Sequence, residues 1–181
     1  MSQLDHRSLL TFDLDGVLCR PPFGINPGRK KKSKKLNHNT FSLPGMLWFF
    51  ERWRYKGRRP MPGAVASLHE FQKVYRCVVV SARSEASRKE TESWLQKYFN
   101  QVPEVFLRPS WRETPSVYKD RIIRELQPIA HFEDDPSTAM VLSEHTSQIF
   151  LIAWHRNRGL ENNQISRIGE IGDAKKFLAF L

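Results

Sequence analysis

Ser8-Leu-Leu-Thr-Phe-Asp13-Leu-Asp15-Gly16-Val-Leu18 is the stretch on which the reading of this chain turns. An apolar run that stops on a carboxylate predicts a buried strand ending at Asp13, and Gly16 lets the backbone turn sharply after it. Ile129-Ala-His-Phe-Glu-Asp134 repeats the pattern, an apolar strand closed by acids. Working outward, Val78-Val-Val-Ser81, Val105-Phe-Leu107, Ile149–Ala153 and Ile165–Ile168 read as further short strands. Helices are expected from Pro62 (Ala64, Val65, Leu68 and Phe71 at helical spacing), up to Tyr98, from Thr114-Pro115 to Leu126, over 136–145 and over 173–180. Ser87 and Glu90 are expected to form a capping box for the second of these, with Trp94, Leu95 and Tyr98 on its buried side. Strands alternate with helices, and the strands are continuously apolar. The fold class is therefore α/β, a parallel sheet with helices on both faces.

The 181 residues fit one domain, 1–181, with 20–61 as an insertion. The net charge is +10, but residues 20–60 hold 12 bases against Glu51 alone. The excess thus sits in one stretch, and the remainder is close to neutral, which points to an anionic partner for the insertion. No apolar run reaches the ~18 residues of a spanning helix. The start MSQLDHRSLL lacks the features of a secretory signal, and Cys19 and Cys77 form no metal-spaced cluster, so a reduced, cytoplasmic protein is expected. No phosphate-cradling Gly-x-x-x-x-Gly-Lys loop occurs.

In open α/β sheets ligands bind beyond the carboxyl ends of the strands, and Asp13, Ser81 and Asp134 stand there. Lys119 lies near the start of its helix, in phase with Ile122, Ile123 and Leu126, and can reach a phosphate at those ends. Hydrolysis of a phosphate monoester needs an in-line nucleophile, charge neutralisation and a proton for the leaving oxygen. Asp13 supplies a carboxylate nucleophile. Asp15 can protonate the leaving group and then deprotonate water. Ser81 and the backbone beside it would hold phosphate oxygens. Asp13, Asp134 and Asp135 would repel one another unless a hard divalent ion, Mg²⁺, lay among them. Asp135 has a second reading as the cap of the helix that opens at Pro136. Arg83 and Arg88 can equally be surface charges, and His131, inside an apolar strand, reads as a satisfied core histidine.

Phe12-Asp13-Leu-Asp-Gly-Val-Leu18, Ser81-Ala82-Arg83, Lys119 and Glu133-Asp134-Asp135 resemble, in order, the four motifs of the haloacid dehalogenase superfamily. The resemblance implies a Rossmann-like sheet with a small cap insertion and an aspartyl-phosphate mechanism. It also implies Mg²⁺ held by Asp13, the backbone oxygen of Asp15, and Asp134, with Asp135 acting through water. Ser81-Ala-Arg-Ser with Arg88, Thr91 and Trp94-Leu95 is similar to the phosphatase domain of polynucleotide kinase-phosphatases. Trp154-His-Arg-Asn-Arg-Gly159 looks like a loop of the 5′(3′)-deoxyribonucleotidases. A nucleotide or a nucleic-acid terminal phosphate is the substrate these likenesses imply.

The insertion keeps several readings. The run 29–35 is a solvated loop or a polyanion contact. In 43–59, Met46, Leu47, Phe50 and Trp53 share one helical face. That face can pack over the site as a cap, lie on an anionic membrane, or stack on nucleic-acid bases between the arginines of 52–59. The rival to an enzyme is a binding module that kept the fold and holds nucleic acid or membrane through these residues.

Overall fold

The computed structural model describes residues 7–21, 57–110, 112–160 and 162–179. Six strands form one parallel sheet: β1 (Leu9–Phe12), β2 (Arg76–Ser84), β3 (Glu104–Arg108), β4 (Ala130–Glu133), β5 (Gln148–Ile152) and β6 (Ile165–Ile168). Their order is β3-β2-β1-β4-β5-β6, with every pairing parallel. The chain moves outward in one direction through β2 and β3, then returns to the other side of β1 for β4. The crevice between the ends of β1 and β4 is therefore the topological switch point, where such sheets bind ligands.

Side chains alternate across the strands, so each face builds its own core. Leu10, Phe12, Cys77, Val79, Phe132 and Phe150 pack beneath α1 (Ala64–Val74) and α2 (Arg88–Tyr98). On that face Phe12 stacks on Phe132 at 4.5 Å and 14°, and Phe132 meets Phe150 at 5.0 Å. Val78, Val80, Ile149 and Leu151 pack beneath α3 (Pro115–Leu126) and α4 (Pro136–Leu142). A short helix, α5 (Lys175–Leu178), follows β6. No helix among the described residues is long and apolar enough to cross a membrane.

Three local expectations are corrected. The first helix begins at Ala64, not Pro62, because Gly63 at φ 69° supplies a left-handed residue that only then lets the chain enter the helix. Ser87 and Glu90 form no capping box. The Ser87 hydroxyl donates to the Ser84 carbonyl at 2.7 Å, and Ser84 instead caps a short 3₁₀ turn over Glu85–Ser87. The helices expected over 136–145 and 173–180 are shorter, and 171–174 is 3₁₀. Elsewhere the chemistry acts as read. Thr114 caps α3 by accepting from the Val117 N–H, with Pro115 at its first turn, and Asp135 caps α4 through the Thr138 N–H.

Residues 22–56 lie outside the described residues, and with them the run 29–35, the face of Met46, Leu47, Phe50 and Trp53, and Arg52, Arg54 and Lys56. The ends of the insertion are described. Arg20 N–H donates to the Arg59 carbonyl and Met61 N–H to the Leu18 carbonyl, both at 2.8 Å. Cys19 bridges Asp15 on one side and Pro60 on the other. The insertion thus leaves and rejoins the fold beside the turn that carries Asp15.

Candidate active site

β1 delivers Asp13 and β4 delivers Glu133 and Asp134 to adjoining strand ends, because β1 pairs with β4 in parallel register, Phe12 opposite Phe132. α3 brings Lys119 to the same place. It is buried, as its phase with Ile122 and Ile123 requires. Its ammonium lies 3.0 Å from Asp13 Oδ2 and 2.6 Å from Glu133 Oε2. Removing one partner of a buried pair leaves an uncompensated charge and costs about 3–5 kcal/mol, so Lys119 supports the fold as well as the site.

Asp13, Glu133 and Asp134 offer carboxylate oxygens that all lie within 4.8 Å of one another. Two ionised carboxylates at that spacing repel by roughly 3–4 kcal/mol at an effective dielectric constant of about 20. The carboxylates respond unequally. Burial, helped by Glu133 and Asp15 and opposed by Lys119, pushes Asp13 up to about 7. Burial, Glu133 and Asp13 likewise push Asp134 well above the carboxylate range, against Arg156 and Lys119. Glu133 goes the other way. Burial would raise it, but Lys119 and His131 together hold it ionised. A pair of acids that burial and neighbouring carboxylates push toward their protonated forms, offering hard oxygens, fits a divalent cation.

Two residues from Asp13, Asp15 sits in a separate cluster. Arg83 grips it with two parallel bonds, Nε to Oδ2 and Nη2 to Oδ1, both 2.8 Å, and Arg58 donates to Oδ1 as well. Burial acts to raise Asp15, but Arg83 first, then Arg58 and Lys119, hold it below the usual range. Trp94 Nε1 donates to the Arg58 carbonyl at 2.8 Å, which anchors the insertion's returning end to α2.

Gly16 completes the turn at φ 90°. A Cβ there would lie 2.1 Å from Asp134 Oδ2, so the glycine is needed both for its backbone and for the space it leaves to the β4 carboxylate.

The structure thus brings Asp13, Lys119 and Asp134 together and sets Asp15 beside them with Arg83. Ser81 is buried but does not end its strand, as β2 runs on to Ser84 past a register shift against β3; its hydroxyl accepts the Arg83 N–H at 3.3 Å, and Ala82 between them is half-buried. Asp135 spends Oδ2 on capping α4, accepting also from the Ser137 and Thr138 hydroxyls. Four contributors were not legible as such. Glu133 pairs with Lys119. His131 backs Glu133 at 3.4 Å. Arg156 donates to Asp134 Oδ2 at 2.7 Å and to its carbonyl at 2.8 Å. Arg58 reaches Asp15. The only sequence signals for the two arginines were their places in the basic stretch and in the loop after β5.

No family model and no curated protein matches the chain. Solved structures do. A haloacid dehalogenase-like family hydrolase from Streptococcus pneumoniae aligns at 14% identity and TM-score 0.58, over 98% of this chain and 100% of its own. A D,D-heptose 1.7-bisphosphate phosphatase from B. bronchiseptica, complexed with magnesium and phosphate, aligns at 12% identity and TM-score 0.58, over 96% of this chain and 99% of its own. A 2-haloacid dehalogenase from Pseudomonas syringae pv. tomato DC3000 aligns at 13% identity and TM-score 0.58, over 96% and 98%. The chain shares the α/β, Rossmann-like fold of these solved structures.

Proposed function

We propose that this protein is a Mg²⁺-dependent phosphomonoesterase that works through an aspartyl-phosphate on Asp13. The observation that carries the reading is the meeting of Asp13, Lys119 and Asp134 at the switch point of the sheet. A binding module has no need of a buried carboxylate there that is pushed up to about 7 and faces a lysine.

Asp13 and Asp134 would hold the metal, with the Asp15 backbone oxygen, and Asp135 would act through water. When bound, the ion neutralises charge on the transferring phosphoryl group and on the carboxylates around it. Asp13, ionised in that state, attacks phosphorus in line with the leaving oxygen. Lys119 stays protonated, because Asp13 and Glu133 outweigh the burial that acts to discharge it, and it offsets negative charge on the phosphoryl oxygens. Asp15 gives the leaving group its proton. In the free protein Arg83 and Arg58 hold Asp15 ionised; an arriving phosphate dianion competes for those guanidiniums and pushes Asp15 toward its protonated form. The same carboxylate then takes a proton from the water that splits the aspartyl-phosphate.

A nucleotide or a nucleic-acid terminal phosphate is the substrate class best supported, by the short likenesses to nucleotide-directed phosphatases and by the bases of residues 20–60, which rejoin the fold beside Asp15. Hydrolysis of p-nitrophenyl phosphate with Mg²⁺, with and without EDTA, in wild type and Asp13→Asn tests the reading. Activity lost with EDTA and lost in the variant supports it. An Asp13→Asn protein with wild-type turnover rules it out.

A further inference from the structure

Behind Lys119 a column of polar side chains runs into the apolar core, and phosphoryl transfer as described gives it no task. Thr11, His131 and Glu133 are completely buried on the α3 side of the two central strands. Burying a carboxylate, an imidazole and a hydroxyl there is costly unless each bond is satisfied. They are satisfied in a definite order.

Glu133 uses both oxygens in full. Oε1 accepts the N–H of Asp134 at 3.0 Å and of Asp135 at 3.1 Å. Oε2 accepts the Lys119 ammonium at 2.6 Å and faces His131 Nε2 at 3.4 Å. A carboxylate offers about four acceptor positions, and here all four are taken. The carboxylate is acceptor-only, so the His131 proton lies on Nε2, and Nδ1 accepts the Thr11 hydroxyl at 2.9 Å. Burial also keeps this histidine neutral. Glu133 lies close enough to Asp13 and Asp134 to be counted with them around a cation, but its lone pairs are already engaged.

We infer that Glu133 is a positioning residue and not a metal ligand: this one carboxylate, backed by His131 and Thr11, fixes both the phosphate-facing ammonium of Lys119 and the backbone that presents Asp134. The inference rests on the phosphatase reading above. Through Glu133 the cationic and the metal-binding sides of the site are tied to one rigid group, and the ammonium cannot shift without disturbing the β4 end.

Glu133→Gln in the full chain separates the two roles. The amide keeps a carbonyl oxygen for the two backbone N–H groups, so the metal side is preserved. Its NH₂ meets the Lys119 ammonium donor to donor, so the phosphate side is lost. At saturating Mg²⁺, kcat/KM for p-nitrophenyl phosphate should fall about 10–100-fold, the usual scale for a supporting partner. The Mg²⁺ concentration for half activity should stay close to wild type, while inorganic phosphate should inhibit more weakly. In a Lys119→Met background the same change should add little, since its effect passes through Lys119.

Calorimetry gives a readout without turnover: the variant should bind Mg²⁺ as wild type does and inorganic phosphate more weakly. A loss that excess Mg²⁺ restores, or effects that multiply in the double variant, would overturn the inference. Thr11→Val, nearly the same shape, covers the case in which Glu133→Gln does not fold. It should weaken phosphate inhibition at unchanged Mg²⁺ requirement, and wild-type phosphate inhibition in it would also overturn the inference. If wild type binds Mg²⁺ and phosphate but hydrolyses no ester, the phosphatase reading fails, while the calorimetric comparison still decides the role of Glu133.

Discussion

Asp13 and Asp15 stand two residues apart on one strand-end turn, yet their surroundings drive them in opposite directions. Asp13 is buried against other acids, with Lys119 beside it to oppose them, and burial pushes it up to about 7. Asp15, with a third of its side chain exposed, meets two guanidiniums, and Arg83 and Arg58 overcome burial to hold it below the carboxylate range. Two carboxylates of equal intrinsic strength are thereby set apart, and in the proposed mechanism one awaits a cation and the other a competing anion. The contrast can be broken in three ways.

The largest effect is expected at Asp15 itself. In the proposed mechanism Asp15→Asn removes the proton donor and the later base, so turnover should fall ~10²–10⁴-fold in steady-state assays with Mg²⁺. A smaller loss with an activated leaving group such as p-nitrophenol than with an alkyl phosphate would assign the deficit to acid catalysis. Equal losses would assign it to the water step.

Arg83→Met should act on the position of Asp15's titration more than on its presence. Withdrawing an adjacent guanidinium raises a carboxylate by about one to three pH units. The limb of the kcat/KM profile that tracks Asp15 should move to higher pH by that amount. An unmoved limb would mean that Arg58 alone governs Asp15.

The smallest effect concerns stability. Without metal, folded Asp13 keeps a proton up to about 7 that the unfolded chain releases near 3.8. The folded state therefore binds more protons across that window, and stability falls as pH rises through it. Asp134 adds in the same sense. Asp15 and Glu133, both lowered, contribute stability that is present above their ordinary values of 3.8 and 4.5 and is lost as pH falls below them, so Asp15 acts below this window and Glu133 overlaps only its lowest part, under 4.5. On the proposed reading Mg²⁺ would bind the deprotonated site, so it should raise Tm more at about pH 8 than at about pH 6. At about a hundred times Kd the gain should be roughly 5–10 °C. An equal gain at both pH values would separate metal binding from Asp13 and Asp134.

The same two clusters mark where sequence reasoning stops. The strand ends, the Thr114-Pro115 start of α3 and the inward phase of Lys119 are legible because hydrophobic period and capping are local. Asp13, Lys119 and Asp134 follow from them once parallel pairing is assumed. The clamp on Asp15 is not local. Arg58 lies 43 residues away and Arg83 lies 68 residues away, and no period links them. Arg58 was visible only as one of twelve bases in the insertion. His131 read as a satisfied core histidine; it is one, but its partner, Glu133, looked like one more acid in a run of three. Which of three adjacent acids faces a lysine is decided by strand pleat and register, and Glu133 shares the pleat of His131 and Thr11.

The central claim is that Asp13 becomes covalently phosphorylated. Wild type and Asp15→Asn would be mixed with p-nitrophenyl phosphate and Mg²⁺, quenched in acid, and the peptide containing residues 9–20 examined by mass spectrometry. The account predicts a phosphoryl group on Asp13 that accumulates in Asp15→Asn, where its hydrolysis is slowed, and that is absent when Mg²⁺ is chelated. Full turnover by an Asp13→Asn protein, or a phosphoryl group carried by another residue, would contradict it.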